Sequence, residues 1–427
     1  MIKNDSIIAG LDIGSAKTTV CLGGVDAQGR IEIHNAAMVK TRGMERGVIT
    51  DLGEVAACIE EVIKKVEAKM QRSEQTKLWP KKNFRINSVW TTISGEHVLG
   101  NNTKGMLNLS NRPVEIRRKD MTKAIDSAKY LSSSIDREIL HALPQEYVID
   151  GYKRIKDPLG IYGTRLGVNL HVLTADLSFI TSVVKAINRA GIDVDQIVYS
   201  GLATSLATIT DQEKQAGIIL LEIGAGTVNI LFFSEGSLQY TSVLPIGGQD
   251  ITTQISNQLG IDFAQAEELK MQYRSKSGRG DFDQENSEDK IIIRKESADY
   301  ESITRKELND IIDKKLDIIL GMIKKDIELA GILSRVNCGV VVCGGMSFMD
   351  GIIERLEKIT KLPVCMGIMR GFVSSSSGLS NIFYATGIGL VMHALNELSN
   401  YNQSAFLTNG PVGKVLAKIR NIYEEYF

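Results

Sequence analysis

Apolar residues along the chain fall into two rhythms. Short runs such as Ile7 to Leu11, Val89 to Ile93, Ile218 to Leu221 and Val340 to Cys343 have the length of buried strands and are closed by glycine or polar residues. Other stretches repeat at helical spacing. After Asp120, the residues Met121, Ile125 and Ala128 form one stripe, and a helical pattern starts near Met349. Strands leading into helices in this way predict an α/β fold. The last helical pattern is amphipathic: Val412, Val415, Leu416, Ile419, Ile422, Tyr423, Tyr426 and Phe427 share one face, with Lys414, Lys418, Arg420, Asn421, Glu424 and Glu425 between them. A polar stretch before it, Ser399 to Ser404 and then Thr408 to Pro411, reads as a linker.

Two of the strand endings resemble each other. Leu11-Asp12-Ile13-Gly14-Ser15-Ala16-Lys17 and Leu221-Glu222-Ile223-Gly224-Ala225-Gly226-Thr227 both read acid, isoleucine, glycine, small residue, and both are flanked by apolar runs, giving strand, tight turn, strand. Their acids lie 222 − 12 = 210 positions apart, about half the chain, the spacing that duplication of a lobe produces. Glycine lets such a turn bring successive N–H groups to bear on phosphate oxygens. Asp12 and Glu222 would hold hydrated Mg2+, Lys17 would add a positive charge, and Ser15 and Thr227 would donate hydroxyls. A single hairpin of this kind is ordinarily a plain glycine turn; the second copy is what points to phosphate.

Further along, Val340 to Cys343 runs into Gly344-Gly345-Met346, where bare backbone fits against a nucleotide's base or phosphates, or simply joins a strand to a helix. Gly247 and Gly248 open another helix. Glu267 and Lys270 share one face of the helix after that, as many surface ion pairs do.

Composition narrows the choices. The 427 residues exceed one ordinary core, so two or more lobes are expected. A net charge of −1 gives no basic excess to advertise nucleic acid, and no nucleic-acid partner is expected. The five cysteines form no CxxC pair and the five histidines no HExxH, so neither zinc nor histidine catalysis is expected. Met1 to Gly10 lacks the features of a secretory signal, and no window reaches the roughly 20 apolar residues of a membrane span. The expectation is a cytosolic chain with at most peripheral membrane contact. Residues 412–427 would make a helix about 24 Å long, suited to lie in a bilayer interface or to dock on its own domain.

The order of parts, phosphate hairpin, second hairpin, Gly-Gly turn, resembles the actin, chaperone-ATPase and sugar-kinase superfamily. Within it the chain resembles the bacterial cell-division FtsA family. Gly10 to Lys17, Gly43 to Asp51, Ile93 to Val98, Asp157 to Gly163, Gly191 to Asp195 and Tyr384 to Leu390 carry that resemblance. It implies an actin-like two-lobed ATPase fold of duplicated RNase H-like domains, with an inserted small α+β subdomain and a C-terminal amphipathic helix. The expected division is 1–83, 166–198 and 381–398 for the first-lobe core, 84–165 for the insert, and 199–246 and 305–380 for the second-lobe core. A small second-lobe subdomain would fill 247–304, a linker 399–411 and a membrane-targeting helix 412–427.

The resemblance also implies ATP with Mg2+ in the cleft, with Glu267 and Lys270 facing ribose and adenine, and subunit contacts through the insert. It implies self-assembly on the cytoplasmic membrane face at the division site, and an FtsZ-like tubulin homologue docked on the small subdomain, whose loop from Arg274 to Lys290 is polar. Val415, Leu416, Ile419, Ile422, Tyr423, Tyr426 and Phe427, with Lys414, Lys418 and Arg420, would meet anionic lipid. At two positions the chain departs from the family: aspartate is usual at Glu222, and an acid at Asn229. Both changes touch the metal site, so nucleotide binding is expected to outlast hydrolysis, leaving at most a slow ATPase. Alternatives are an actin-like adaptor of pilus or secretion assembly, and a small-molecule kinase of the same superfamily.

Overall fold

The computed structural model describes residues 7–72, 84–273, 290–295, 299–374, 379 and 381–405. Its centre is one sheet pattern used twice. In the first sheet β1 (Ile8–Ile13), β2 (Lys17–Val25) and β3 (Ile31–Lys40) are antiparallel, while β6 (Ser88–Ile93) and β13 (Asp193–Tyr199) extend the other side of β1 in parallel. In the second, β14 (Ile218–Ile223), β15 (Val228–Ser234) and β16 (Ser237–Leu244) are antiparallel, and β19 (Val340–Cys343) and β20 (Val364–Met366) run parallel beside β14. Strand order and direction match in the two, as the repeat of the acid-and-glycine hairpin predicts.

Periodicity decides which helices cover these sheets. In α1 (Leu52–Arg72), Val55, Ile59, Val62, Val66 and Met70 recur on one side and bury against the first sheet, where α3 (Leu177–Arg189) joins them. Across the second sheet lies α8 (Arg305–Leu329), opened by a capping box in which Glu307 N donates to Thr304 Oγ1 at 3.2 Å and Thr304 N donates to Glu307 at 2.7 Å. Leu308, Ile312, Leu316, Ile319, Ile323 and Ile327 form its buried stripe. Two short hairpin strands, β4 (Met44–Glu45) and β5 (Val48–Ile49), carry the loop before α1.

A third unit grows from the first lobe. Its sheet has the order β10 (Tyr152–Ile155), β9 (Arg137–Ile149), β12 (Arg165–Asp176), β7 (Val98–Asn108), and α2 (Arg118–Leu131) lies across it. A side chain at Gly105 would stand 2.2 Å from Ala124 O, so the helix rests directly on β7. The strands β8 (Val114–Glu115) and β11 (Tyr162–Gly163) pair separately. The unit is the expected insert, shifted along the chain. The Val89 to Ile93 strand, expected inside 84–165, is β6 of the main sheet because its apolar run is buried on both faces. The segment after 165, expected in the lobe core, is β12 and completes the insert's sheet.

The second lobe's small unit contains α6 (Gly248–Leu259), α7 (Phe263–Met271) and the hairpin of β17 (Lys290–Arg294) and β18 (Tyr300–Thr304). The polar loop read from 274 to 290 lies outside the described residues up to 289. After α9 (Ile352–Thr360) the chain crosses back sooner than expected: β21 (Val373–Ser374), placed by sequence in the second lobe, pairs with β3 of the first. Two helices then cross between the lobes, α4 (Ser200–Thr208) and α10 (Ala385–Ala405); α5 (Asp211–Ala216) follows α4. At the crossing a side chain on Gly389 would stand 1.8 Å from Ala203 O. The stretch from Ser399 to Ser404, read as linker, continues α10, since asparagine, glutamine and serine are tolerated once an apolar helix is under way. The amphipathic segment 412–427 lies outside the described residues.

Candidate functional site

Each acid hairpin closes the same way. Gly14 N donates to Lys17 O at 3.0 Å, and Gly224 N donates to Thr227 O at 2.9 Å, leaving the intervening residues at the tip. The tips face each other. A side chain on Gly226 would stand 2.6 Å from Ser15 Oγ and 2.8 Å from the Arg46 backbone, so glycine is what allows this approach. Between them opens a cleft of about 270 Å³, lined from one side by Asp12, Gly14, Ser15 and Lys17 and from the other by Glu222, Gly224, Gly226 and Thr227.

The remaining residues predicted to bind nucleotide, all but Gly247, converge on the same cleft. Gly248, Glu267, Lys270, Gly344, Gly345 and Met346 line it. Gly247 lies behind the second hairpin, where a side chain would stand 2.6 Å from Gly224 O, and it caps α6; Gly248 N donates to Gly224 O at 3.0 Å. Gly344 has φ +87° and turns the chain out of β19. Lys270 Nζ bonds Glu267 at 2.6 Å, Thr252 Oγ1 at 2.9 Å and Gly248 O at 3.1 Å, so the pair forms a closed polar cluster at the cleft wall.

Electrostatics at the floor come from burial. Asp12 accepts from Thr92 Oγ1 at 2.7 Å, yet loss of water, opposed by that bond and reinforced by the charge of Glu222, pushes its carboxyl up to about 6. Burial likewise lowers the pKa of Lys17, opposed by Asp12 and Glu222. The Lys17 ammonium donates to Phe383 O at 2.6 Å and sits 4.4 Å from that ring's centre. Glu222 accepts four bonds: Thr204 Oγ1 (2.7 Å) and Thr386 Oγ1 (2.9 Å) on one oxygen, Asn229 Nδ2 (2.7 Å) and Ser200 Oγ (3.3 Å) on the other.

Sequence reading missed Thr92, Ser94, Ser200, Thr204, Thr386 and Phe383 as lining residues. Ser94, Ser200 and Thr386 did carry a signal, each being a hydroxyl beside glycine at an element end. Thr204 and Thr92 carried none, since their position follows from how the helix and strands pack. Across the mouth, Arg46 pairs with Asp250 at 2.8 Å and links the lobes a second time.

The donors fit a hydrated Mg2+ better than a bare one. Among the described residues no group of three His, Cys, Asp or Glu side chains could hold a metal, and Glu222 is already saturated by donors. A cation here would take Asp12, water and phosphate oxygens, the pattern Mg2+ favours.

Two sheets of one topology, each ending in an acid-and-glycine hairpin over a shared cleft, define a protein of the actin-like ATPase fold. A chain of the PilM–PilN type IV pilus biogenesis complex shares this fold at TM-score 0.62 and 16% identity, over 91% of this chain and 98% of that one. The family model described as the SHS2 domain inserted in FTSA matches residues 95–174, and that for cell division protein FtsA matches 219–389. The first of these falls on the insert as its sheet defines it. Similar over nearly full length are the cell division protein FtsA of Pseudomonas aeruginosa (28% identity, 98% of each chain) and that of Neisseria meningitidis serogroup B (29%, 100% of each). The chain belongs to the FtsA family of cell-division proteins.

Proposed function

We propose that this chain binds ATP with Mg2+ in the cleft, assembles into filaments on the cytoplasmic membrane face, and there tethers an FtsZ-like division ring and recruits later division proteins. The observation that carries the nucleotide reading is the meeting of the two hairpin tips over one cleft, where Ser15 and Gly226 are in contact distance. Backbone N–H groups at the tips, Lys17 from one side and the hydroxyl of Thr227 from the other would grip the phosphates. Glu267, Lys270, Gly344, Gly345 and Met346 would take ribose and base. Asp12 would place the metal through water, and Glu222 would join it by exchanging one of its four donors for a metal-bound water.

Family membership supports the division role. The amphipathic pattern of 412–427 supports membrane attachment, and among the described residues no helix is long and apolar enough to cross a membrane. One such segment binds weakly: its apolar burial offers at most about 12–24 kcal/mol, while ordering sixteen residues costs a similar amount. A filament presenting many copies multiplies that affinity. Glu222 is held by four donors and Asn229 carries no charge, which supports a slow ATPase at most.

The experiment is co-sedimentation of the purified chain with anionic vesicles, with and without ATP and FtsZ. ATP-dependent pelleting of the chain, and of FtsZ only in its presence, is the expected result. Pelleting indifferent to ATP, with no heat of ATP binding in calorimetry, overturns the nucleotide reading.

A further inference from the structure

Asn229 is 2% exposed and uses every polar atom of its amide. Its Nδ2 donates to Glu222 at 2.7 Å and to Ser200 Oγ at 3.1 Å; its Oδ1 accepts from Ser94 Oγ at 2.8 Å and Tyr199 Oη at 3.1 Å. Two donors and two lone pairs are thus all satisfied, which fixes the amide's orientation: reversing it would set a carbonyl oxygen against the Glu222 carboxylate. Aspartate would face Glu222 with a second negative charge at the same distance, and leucine would strip partners from four buried polar groups.

What the amide joins is informative. On one side stands the acid of the cleft. On the other, Ser94 directly precedes the inserted subdomain, and Tyr199 donates its backbone N to His141 Nε2 at 3.1 Å, on β9 of that subdomain. The insert also reaches the second lobe at its far edge: Gln145 Nε2 donates to Leu238 O at 2.9 Å, and His171 Nε2 and Thr241 Oγ1 lie 2.9 Å apart. A shift of β15 relative to β6 therefore acts on the insert at both its root and its flank.

We infer that Asn229 is a positioning residue that couples the acid of the cleft to the inserted subdomain, so that nucleotide at Glu222 is felt as a change in the insert. This rests on the reading of the cleft as a nucleotide site. Ligand contact at Glu222 redistributes its four donors; the Asn229 amide, having no spare partner, transmits that change to Ser94 and Tyr199. The coupling is reciprocal, so a partner that fixes the insert alters nucleotide affinity by the same factor.

Two measurements on the full chain test it. Hydrogen–deuterium exchange is followed in β7 and β9, each protein saturated with ADP according to its own Kd. In the parent chain ADP changes exchange there several-fold; in Asn229→Ala, and to a lesser degree in the milder Ser94→Ala, that response is lost. A response of parental size in Asn229→Ala overturns the inference. The second arm needs no nucleotide: melting temperatures of Asn229→Ala, Ser94→Ala and the double variant. Coupling makes the double variant fall short of the summed single losses by about 2 °C or more, whereas additive losses overturn it. If the parent chain binds no ADP, the reading of the cleft fails by itself, and the melting cycle still decides whether Asn229 joins these groups.

Discussion

The Lys17 ammonium lies 2.6 Å from the carbonyl oxygen of Phe383 and 4.4 Å from the centre of its ring, although the two residues are 366 positions apart in the chain. This single contact brings the first hairpin to the segment that starts α10. A carbonyl oxygen and a ring face together offer the partial negative charge that a phosphate would supply in full.

Lys17→Ala removes a charged donor from a half-buried position, so nucleotide affinity should fall by roughly 10- to 100-fold, the size of a charge-assisted bond at about 1.5–3 kcal/mol. Titration calorimetry with ATP reads it. Equal affinity in variant and parent would remove Lys17 from the phosphate site.

Burial holds four histidines neutral: His141 is lowered to about 3, with the charge of neighbouring His393 adding to the effect, and His97, His171 and His393 are lowered to about 4. An unfolded chain would protonate them near 6.5, so below that pH the unfolded state binds more protons than the folded one. Their contribution to stability is therefore complete above about 6.5 and is lost as pH falls toward 4. Melting temperature should drop across this window, and His141→Gln should flatten the slope. A slope identical in the variant would assign the acid lability to other groups.

Gly226→Ala would push a methyl group to 2.6 Å from Ser15 Oγ and 2.8 Å from the Arg46 backbone. A loss of about 1–3 kcal/mol in stability and weaker nucleotide binding are expected. Gly321→Ala is the contrast, since nothing lies within 4 Å of the added carbon on α8 and helix propensity should give a gain of about 0.5–1 kcal/mol. Thermal melts of both variants compare the two signs directly.

Leu416→Glu places a charge in the apolar stripe of 412–427. Binding to anionic vesicles should fall at least tenfold while melting of the globular part is unchanged, since a buried charge in the interface costs more than one leucine contributes. Undiminished pelleting would show that membrane contact lies elsewhere.

Much of this was legible in the residues because it repeats. Gly14 and Gly224 stand at equivalent turns, and a motif present twice announces both the duplicated sheet and the shared cleft. The insert was legible as a unit but not at its edges: β6 and β7 are consecutive strands only a few residues apart, and hydrogen-bond pairing assigns the buried one to the main sheet and the largely exposed one to the insert. The donors on Glu222 were invisible for a similar reason. Thr204 and Thr386 lie on two helices 182 positions apart, and they meet the acid because α4 and α10 cross, which no local pattern encodes.

That crossing has a mechanical consequence. Where Gly389 admits the Ala203 carbonyl, two backbones touch without the cushion of side chains. Such a joint resists sliding and tolerates rocking, so it works as a fulcrum. The angle between the lobes, more than their separation, is then the quantity through which the molecule can register what occupies it.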